Sequence, residues 1–281
     1  MTDPAEPSWL QRHLHLADPG ATEAFAVQYL GPTLASLEYT GVVASWHFLR
    51  KGDRWRLRCL PPVPDSVDAA TAGIDAMLEK CREAGMVTAW TPVIYEPETL
   101  AFGGVDGMEA AHRLFHHDSQ QILTYLGDVR TAQVEDKRKE LFVLLGVAMM
   151  RGAGLDWYEI GDTWAKVSAN RPPSREAYAG RSLRSAVGIL LHANTGPTSA
   201  LLDGGRLAFA GQWFTAFTDC GRTLRGLADD GRLRRGLRAV IAHHLLFHAN
   251  RIGLSYQQQA RLAEAAVTTV LDLNPESEAA S

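Results

Sequence analysis

The sequence predicts an α+β fold, with a ferredoxin-like antiparallel sheet in the N-terminal third followed by a mostly helical half packed against it. Three observations lead to this prediction. The first 95 residues alternate strand-like and helix-like stretches in the order βαββαβ, which is the ferredoxin-like succession. Two neighbouring strand-like stretches flank a turn-like break at Lys51-Gly52-Asp53. After Gly103-Gly104 the strand signals nearly vanish and helical patterns follow.

Each element of the N-terminal part has a local signal. His13–Leu16 is a short candidate strand, and Thr22–Leu37 carries apolar residues at helical spacing. Val42–Arg50 and Arg54–Leu60 are rich in β-branched or aromatic residues, which favours a hairpin. Val87–Tyr95 returns as the last strand. It is preceded by a predicted helix whose apolar face consists of Ile74, Met77, Leu78 and Cys81.

The second half of the sequence predicts helices. Met108–Leu126 and Val134–Arg151 both place apolar residues at core spacing. Pro172-Pro173 and the stretch from Asn194 to Gly205, which is rich in Gly, Thr, Ser and Asp, interrupt the helices as loops. The pattern is therefore that of several helices joined by polar connections.

The length and composition allow one large core or two modest ones built into a single unit. The chain has 281 residues, of which 46% are hydrophobic. We therefore predict a single domain over residues 1–281, with an α/β part at 10–95 and a helical part at 105–272.

The charge and the cysteine count limit the classes of partner. A net charge of -4 gives no global electrostatic case for direct contact with nucleic acid, although it allows a local basic cleft. Three cysteines are too few for a disulfide framework and fit the reduced thiols of a cytosol. Cys59 follows Arg58, a neighbour that could lower the pKa of its thiol. The first residues lack the pattern of a secretory signal and no apolar run approaches about 20 residues, so we expect a cytoplasmic protein that does not contact a membrane.

Two arginines form the clearest candidate binding feature. Arg56 and Arg58 lie two apart in a predicted strand, so their side chains share one face while Trp55 and Leu57 point to the other. Neighbouring guanidiniums repel each other unless an anion lies between them, and a guanidinium binds a carboxylate or phosphate through two parallel hydrogen bonds. The alternative is a solvated strand face on which both arginines pair with Asp or Glu.

Histidines form two clusters at helical spacing. His112 and His116, with Glu109, could share a face as half of a metal site. The sequence has no His-Glu-x-x-His motif, however, and polar residues at the end of a helix are an equally good interpretation. His244 and His248 share a face in the second cluster. They fit core or surface histidines, and His248 could also carry a proton in catalysis. We therefore expect no metal.

Four stretches of the chain form a distinctive series. They are Trp46–Lys51 with Trp55–Arg58, Tyr95–Thr99 with Phe102–Ser119, Met150–Asp162, and His243–Leu254. In this order they resemble the thiopeptide-type bacteriocin biosynthesis domain family, which is similar to the C-terminal elimination domain of lantibiotic dehydratases. The resemblance extends over roughly residues 9 to 270.

This resemblance implies the tailoring of a ribosomally made peptide by one of two reactions. In the elimination branch, a partner enzyme esterifies Ser or Thr of a precursor peptide with glutamate, and the C-terminal domain expels the glutamate to leave dehydroalanine or dehydrobutyrine. In the other branch, free-standing relatives join two dehydroalanines in a formal [4+2] cycloaddition that ends in a pyridine ring. Both branches work without a metal or redox cofactor. A non-catalytic peptide-binding subunit is the third possibility, because a fold alone does not determine a function.

The elimination branch implies roles for particular residues. Arg56 and Arg58 would stabilise the developing enolate and the carboxylates of the departing glutamate. His248, with His244 second, is the expected base for the Cα proton. The expected substrate contacts come from the same stretches and are Tyr95, Arg50, His244, Asn250 and Arg251.

One stretch departs from the elimination pattern. Elimination domains of the lanthipeptide type often carry an arginine shortly after the tyrosine of the second stretch, whereas this chain reads Tyr95-Glu96-Pro97-Glu98. Either another cation such as Arg113, Arg151 or Arg251 replaces it, or glutamate elimination is not the reaction. The expected partners are a precursor peptide and a separate glutamylating dehydratase subunit, with a homodimer possible.

Overall fold

A computed structural model describes residues 9–51, 54–172 and 180–271. The chain divides into two compact units. The first, which we call the sheet unit, comprises residues 1–97 and 115–136, and the second, the helical unit, comprises residues 98–114 and 137–281. One long helix, α4 (Val105–Arg130), contributes its first ten residues to the helical unit and the rest to the sheet unit.

The described part of the sheet unit contains one four-stranded antiparallel sheet. Its strands are β1 (Leu10–Leu16), β2 (Ser45–Lys51), β3 (Arg54–Leu60) and β4 (Val87–Ile94), in the spatial order β2-β3-β1-β4. Helices connect β1 to β2 and β3 to β4, so this is the ferredoxin-like arrangement that the sequence predicts, and the fold class is confirmed. The turn residues Gly52 and Asp53 lie outside the described residues. The first strand begins at Leu10, three residues before the predicted start at His13, because Leu10, Gln11 and Arg12 pair with strands on both sides.

The connection between β1 and β2 is a helix that changes its pitch. It consists of α1 (Thr22–Phe25), a π-helical stretch Ala26–Leu30, and α2 (Gly31–Tyr39). Pro32 at the start of α2 has no amide hydrogen, and its ring would clash with the preceding turn of a regular α-helix. The wider π turn in front of Pro32 lets the helical path continue.

The second connecting helix is fastened to one face of the sheet by a carboxylate. Helix α3 (Val67–Glu83) carries Asp75, which accepts two hydrogen bonds from the guanidinium of Arg12 at 2.9 and 3.1 Å and one from the indole of Trp90 at 3.1 Å. Arg12 lies on β1 and Trp90 on β4, so Asp75 ties α3 to two strands. The buried residues of α3 include the four predicted for its apolar face.

Helix α4 protects the free edge of the sheet. The edge strand β2 would leave amide groups without partners. Instead, the amide of Trp46 lies 3.2 Å from Nδ1 of His116, and the amide of Phe48 donates to Oγ of Ser119 at 3.3 Å. His116 Nε2 is also 3.2 Å from Glu38. These contacts give His116 a structural role, and the described residues contain no group of three or more His, Cys, Asp or Glu that could hold a metal ion.

The helical unit is built around α5 (Arg138–Gly152). Every residue from Leu141 to Met150 is buried, as expected for a helix that has neighbours on all sides. The other helices are α6 (Trp157–Asn170), α7 (Arg181–His192), α8 (Gly211–Asp229), α9 (Leu237–Ile252) and α10 (Tyr256–Leu271). No helix among the residues described has the length and hydropathy needed to cross a membrane.

Two glycines let α5 and α8 approach each other closely. A methyl group on Gly152 would lie 2.3 Å from the carbonyl oxygen of Thr218, and one on Gly221 would lie 2.1 Å from that of Met149. Both distances are far below van der Waals contact and involve backbone atoms, which cannot rotate away. The crossing therefore requires glycine at both positions.

We predict that Gly221→Ala lowers the free energy of unfolding by about 3 kcal/mol, because the added methyl group forces the two helices apart. Gly226 provides a matched control on the same helix, since a methyl group there has no heavy atom within 4 Å. Gly226→Ala should instead stabilise the protein by up to about 1 kcal/mol through helix propensity. Urea unfolding followed by circular dichroism measures both, and equal effects would contradict the close crossing.

Candidate active site

The strand register places a set of polar side chains on one face of the sheet. Arg56 of β3 lies opposite His13 of β1, and Arg58 lies opposite Gln11 of β1 and His47 of β2. Side chains alternate along a strand, so these five groups share the face that is opposite to Arg12, Trp90 and α3. We call this surface the polar face. It brings Arg56 and Arg58 together as the sequence predicts.

Arg58 is buried and held from three sides. Its Nε donates to Oε1 of Gln11 at 2.7 Å, its Nη1 lies 3.3 Å from Nε2 of His47, and its guanidinium carbon is 4.2 Å from the ring centre of Tyr95. An arginine does not lose its proton, so Nη1 is the donor and His47 accepts through an unprotonated Nε2. These contacts orient the Arg58 guanidinium before any substrate arrives.

Aromatic rings surround this arginine. Trp9 meets His47 edge to face with ring centres 5.0 Å apart, and it meets Tyr95 in the same way at 5.9 Å. The ring of Phe115 lies 5.3 Å from that of His47. Such a wall lowers the local dielectric constant and strengthens the interaction of a charge with Arg58.

Arg56 differs from Arg58 in its surroundings. Its side chain is half-buried, and no hydrogen bond or ion pair joins it to another residue within the described part of the chain. Burial, followed by the positive charges of Arg56, Arg58 and Arg54, lowers the pKa of the neighbouring His13 below its ordinary value. The His13 ring is therefore neutral at neutral pH and stands beside a guanidinium that can accept an anion.

Arg50, which we expected to contact substrate, does not lie with the arginine pair. In the register it lies opposite Trp55, so its side chain is on the face that α3 covers. Its Nη1 donates to Glu23 at 2.7 Å, and its guanidinium carbon is 4.6 Å from the ring centre of Trp55. Trp55, the residue opposite Arg50, comes directly before Arg56 in β3. Successive residues of a strand point to opposite faces, so Arg50 and Arg56 are on different faces.

The histidines expected to act as base lie on α9 inside the helical unit. His248 is fully buried, and its ring centre is 4.9 Å from that of Phe217 and 5.8 Å from that of Trp213. His244 is also fully buried and meets Phe102 edge to face at 4.9 Å. Both rings thus belong to an aromatic environment within this unit.

The other two expected contacts are on the same helix. Arg251 is fully buried in the helical unit. Asn250 accepts a hydrogen bond at 3.0 Å through Oδ1 from Gln259 of α10. Gln259 in turn accepts from Arg171 at 2.9 Å. Asn250 therefore helps to join α9 to α10.

Sequence reasoning missed part of the polar face. Gln11, His13 and Trp9 were not singled out, and His47 appeared only inside a family stretch. The alternation of polar and apolar residues in His13–Leu16 was a usable signal for a strand with one polar face. The partners of Arg58 were not predictable in the same way, because they depend on which strands pair and in which register.

The cysteines are not activated thiols. Burial raises the pKa of Cys59 to about 12, against a smaller opposing effect of Arg12, and burial raises that of Cys220 to about 12 as well. The expectation that Arg58 could lower the pKa of Cys59 was wrong. Successive residues of a strand point to opposite faces, so Cys59 faces the core and Arg58 the polar face.

Comparison with known proteins agrees with the resemblance read from the sequence. The family described as lantibiotic biosynthesis dehydratase C-term matches residues 9–270. The chain belongs to this family. No curated protein matches it significantly.

Three solved structures share the fold. The tRNA-dependent lantibiotic dehydratase MibB from Microbispora sp. 107891 aligns with 97% of this chain at a TM-score of 0.71 and 20% identity, and the chain spans 29% of MibB. TsrL aligns with 97% of each chain at a TM-score of 0.59 and 16% identity. TbtD, the pyridine synthase from thiomuracin biosynthesis, aligns with 95% of this chain and 99% of its own at a TM-score of 0.65 and 14% identity.

We predict that Cys59 and Cys220 do not react with a thiol-specific disulfide reagent at pH 8 in the folded protein. With a pKa near 12, about one thiol in ten thousand is ionised at that pH, and burial restricts access further. All three cysteines should react once the protein is unfolded in guanidinium chloride. A thiol of either residue that reacts rapidly in the native protein would contradict the burial.

Proposed function

We propose that this protein tailors a ribosomally synthesised precursor peptide by lyase chemistry. Its reaction is the elimination of glutamate from glutamylated Ser or Thr, which leaves dehydroalanine or dehydrobutyrine. Membership of the lantibiotic dehydratase C-terminal family supports peptide tailoring. The particular reaction rests on the chemistry of the polar face.

The observation that carries the proposal is the arginine pair on a strand face whose described positions carry no Asp or Glu. Arg58 is fixed in orientation by Gln11, His47 and Tyr95, whereas Arg56 makes no hydrogen bond or ion pair within the described part of the chain. The alternative in which both arginines pair with Asp or Glu would need an ion pair at Arg56, and none joins Arg56 to another described residue. A site in which one guanidinium is held in a fixed orientation and the other makes no hydrogen bond to a described residue suits an anionic leaving group.

The proposed step is a β-elimination. A base takes the Cα proton of the glutamylated residue, the electrons of the C–H bond form the Cα=Cβ double bond, and the Cβ–O bond breaks. Glutamate leaves as a carboxylate. Arg58 and Arg56 stabilise the negative charge that develops on the enolate and on the leaving carboxylate, where oriented donors in a dry site act most strongly.

His248 is the proposed base, with His244 second. A neutral imidazole suits proton removal near neutral pH. Tyr95 contributes by holding Arg58, and Asn250 and Arg251 are proposed to position the peptide beside α9. Arg50 is not included, because its side chain is bonded to Glu23 on the other face of the sheet.

The proposal also names partners and conditions. A separate glutamylating dehydratase subunit would supply the esterified peptide, and two copies of the chain could form a homodimer. The reaction uses no metal or redox cofactor, since elimination of a carboxylate needs only a base and charge stabilisation. Free, buried cysteines fit a reducing cytoplasm.

The pyridine-forming [4+2] cycloaddition of two dehydroalanines is the second candidate. One observation favours it: the position after Pro97 carries a carboxylate in place of an added cation. Glu98 Oε2 lies 2.9 Å from Nε2 of His243 within the helical unit. A pair of this kind is better suited to donating or moving a proton than to binding a leaving carboxylate.

We predict that Arg58→Lys lowers the rate of glutamate elimination by about 100-fold while it changes peptide affinity only a few fold. Lysine keeps the charge but cannot bond Gln11 and a substrate oxygen in the fixed fork geometry. The measurement follows glutamate release from a glutamylated precursor peptide by mass spectrometry, with kcat and peptide Kd determined separately. Arg82→Lys, at an exposed pair with Glu79 on α3, is the matched control and should behave as wild type.

The same assay separates the candidate functions. If the wild type releases no glutamate but converts a peptide with two dehydroalanines to a pyridine, the cycloaddition replaces the elimination. If it binds both peptides and converts neither, and Arg58→Lys loses affinity instead of rate, the chain is a non-catalytic peptide-binding subunit.

We predict that His248→Gln lowers kcat by about 100-fold or more and removes the acidic limb of the pH–rate profile, because glutamine cannot take up a proton. His248 is fully buried among aromatic rings, so the folded fraction is measured in parallel by thermal unfolding. A loss of rate that merely follows the folded fraction, with an unchanged pH profile, would assign His248 a packing role.

A further inference from the structure

The polar face is cationic along β3 and at the end of β2. It presents Arg54, Arg56 and Arg58 from β3 and Lys51 from β2, and its histidines include His13, His15 and His47. The positions that β4 contributes beside β1 are Ala89, Thr91 and Val93. No Asp or Glu occurs at any of the polar-face positions of the four strands as the structure describes them. Like charges on neighbouring strand positions repel each other, and an anion bound to this face would offset that repulsion.

His13 occupies the centre of this face. It lies directly opposite Arg56 on one side and Thr91 on the other, with Arg54 and Arg58 on the diagonals. Its Nε2 is buried and has no hydrogen-bond partner among the described residues. A buried ring nitrogen without a partner costs free energy. Arg56, on the opposite strand position, has guanidinium N–H groups that make no hydrogen bond to another described residue.

We propose that His13 completes an anion site with Arg56, in which one carboxylate binds between the Arg56 guanidinium and Nε2 of His13 and the ring takes up a proton as it binds. Residues directly opposite each other in an antiparallel pair have Cβ atoms about 5 Å apart, which a carboxylate with two oxygens can bridge. The identity of the carboxylate rests on the proposed function: it is that of the departing glutamate.

Proton uptake follows from the charges that face the ring. Before binding, burial and then Arg56, Arg58, Arg54 and His15 lower the pKa of His13. Thr91 on β4 and Gln11 on β1 are uncharged. A bound carboxylate offsets the arginine charges and raises the pKa again. Between the two pKa values each binding event takes up one proton, so affinity increases as the pH falls.

The test is calorimetric titration of the full chain with L-glutamate at pH 8 and pH 6, where the side-chain carboxyl of glutamate stays ionised. We expect wild type to bind about tenfold more tightly at pH 6 than at pH 8. His13→Gln should bind no more than about twofold more tightly at pH 6 than at pH 8. His15→Gln removes a histidine two positions along the same strand and face, and it should change the pH dependence only slightly, because His15 makes the smallest contribution to the lowered pKa of His13. A wild type that does not bind glutamate, or a His13→Gln protein that keeps the pH dependence, overturns the proposal.

A measurement on the unmutated protein guards against a folding defect. In an NMR titration of the imidazole signals, His13 should have a higher midpoint with saturating glutamate than without it, whereas an unchanged midpoint overturns the proposal. The result is separate from the proposed reaction. Glutamate binding linked to His13 without any elimination would retain the anion site and reject the elimination, and elimination without the His13 linkage would do the reverse.

Discussion

The Arg58 guanidinium connects three strands and the end of a fourth. It lies on β3, donates to Gln11 of β1, contacts His47 of β2, and covers the ring of Tyr95 just beyond β4. A buried cation of this kind is stable only when its hydrogen-bond donors have partners. The antiparallel register supplies those partners, and a shift by one residue would move all of them to the other face.

The two faces of the sheet differ in whether carboxylates of the chain neutralise their cations. On the covered face, Asp75 neutralises Arg12 and fastens α3, and Glu23 neutralises Arg50. Each cation there has a carboxylate of the same chain. The polar face has arginines and histidines and no carboxylate on its described strand positions. This difference is why the polar face is a candidate for an external anion and the covered face is not.

The helical unit buries the titratable side chains of α9 in its interior. His244, His248 and Arg251 of α9 are fully buried, and aromatic rings surround His248. Residues of this kind are rarely buried without a reason, because desolvation of a charged or polar group is costly. Within the same unit, two glycines let α5 and α8 approach each other closely.

The sequence by itself determined the features that depend on neighbours along the chain. Alternation within Arg54–Leu60 put Arg56 and Arg58 on one face, and the order of elements gave the ferredoxin-like sheet and the helices that follow. The family stretches gave the family. Position along the chain gave wrong expectations where the direction of a side chain mattered. Cys59 comes directly after Arg58, and Arg50 lies in the same family stretch, but both side chains point to the face opposite to that of Arg56 and Arg58.

Only the tertiary structure decided which side chains meet from different strands and helices. The contacts of Gln11 and His47 with Arg58, the place of His13 opposite Arg56, and the binding of His116 to the edge strand all join residues far apart in sequence. Local periodicity determines the face of each strand but carries no information on strand order or register. Those are set by the packing of the whole unit, and with them the charge, the burial and the free hydrogen-bonding capacity of the candidate site.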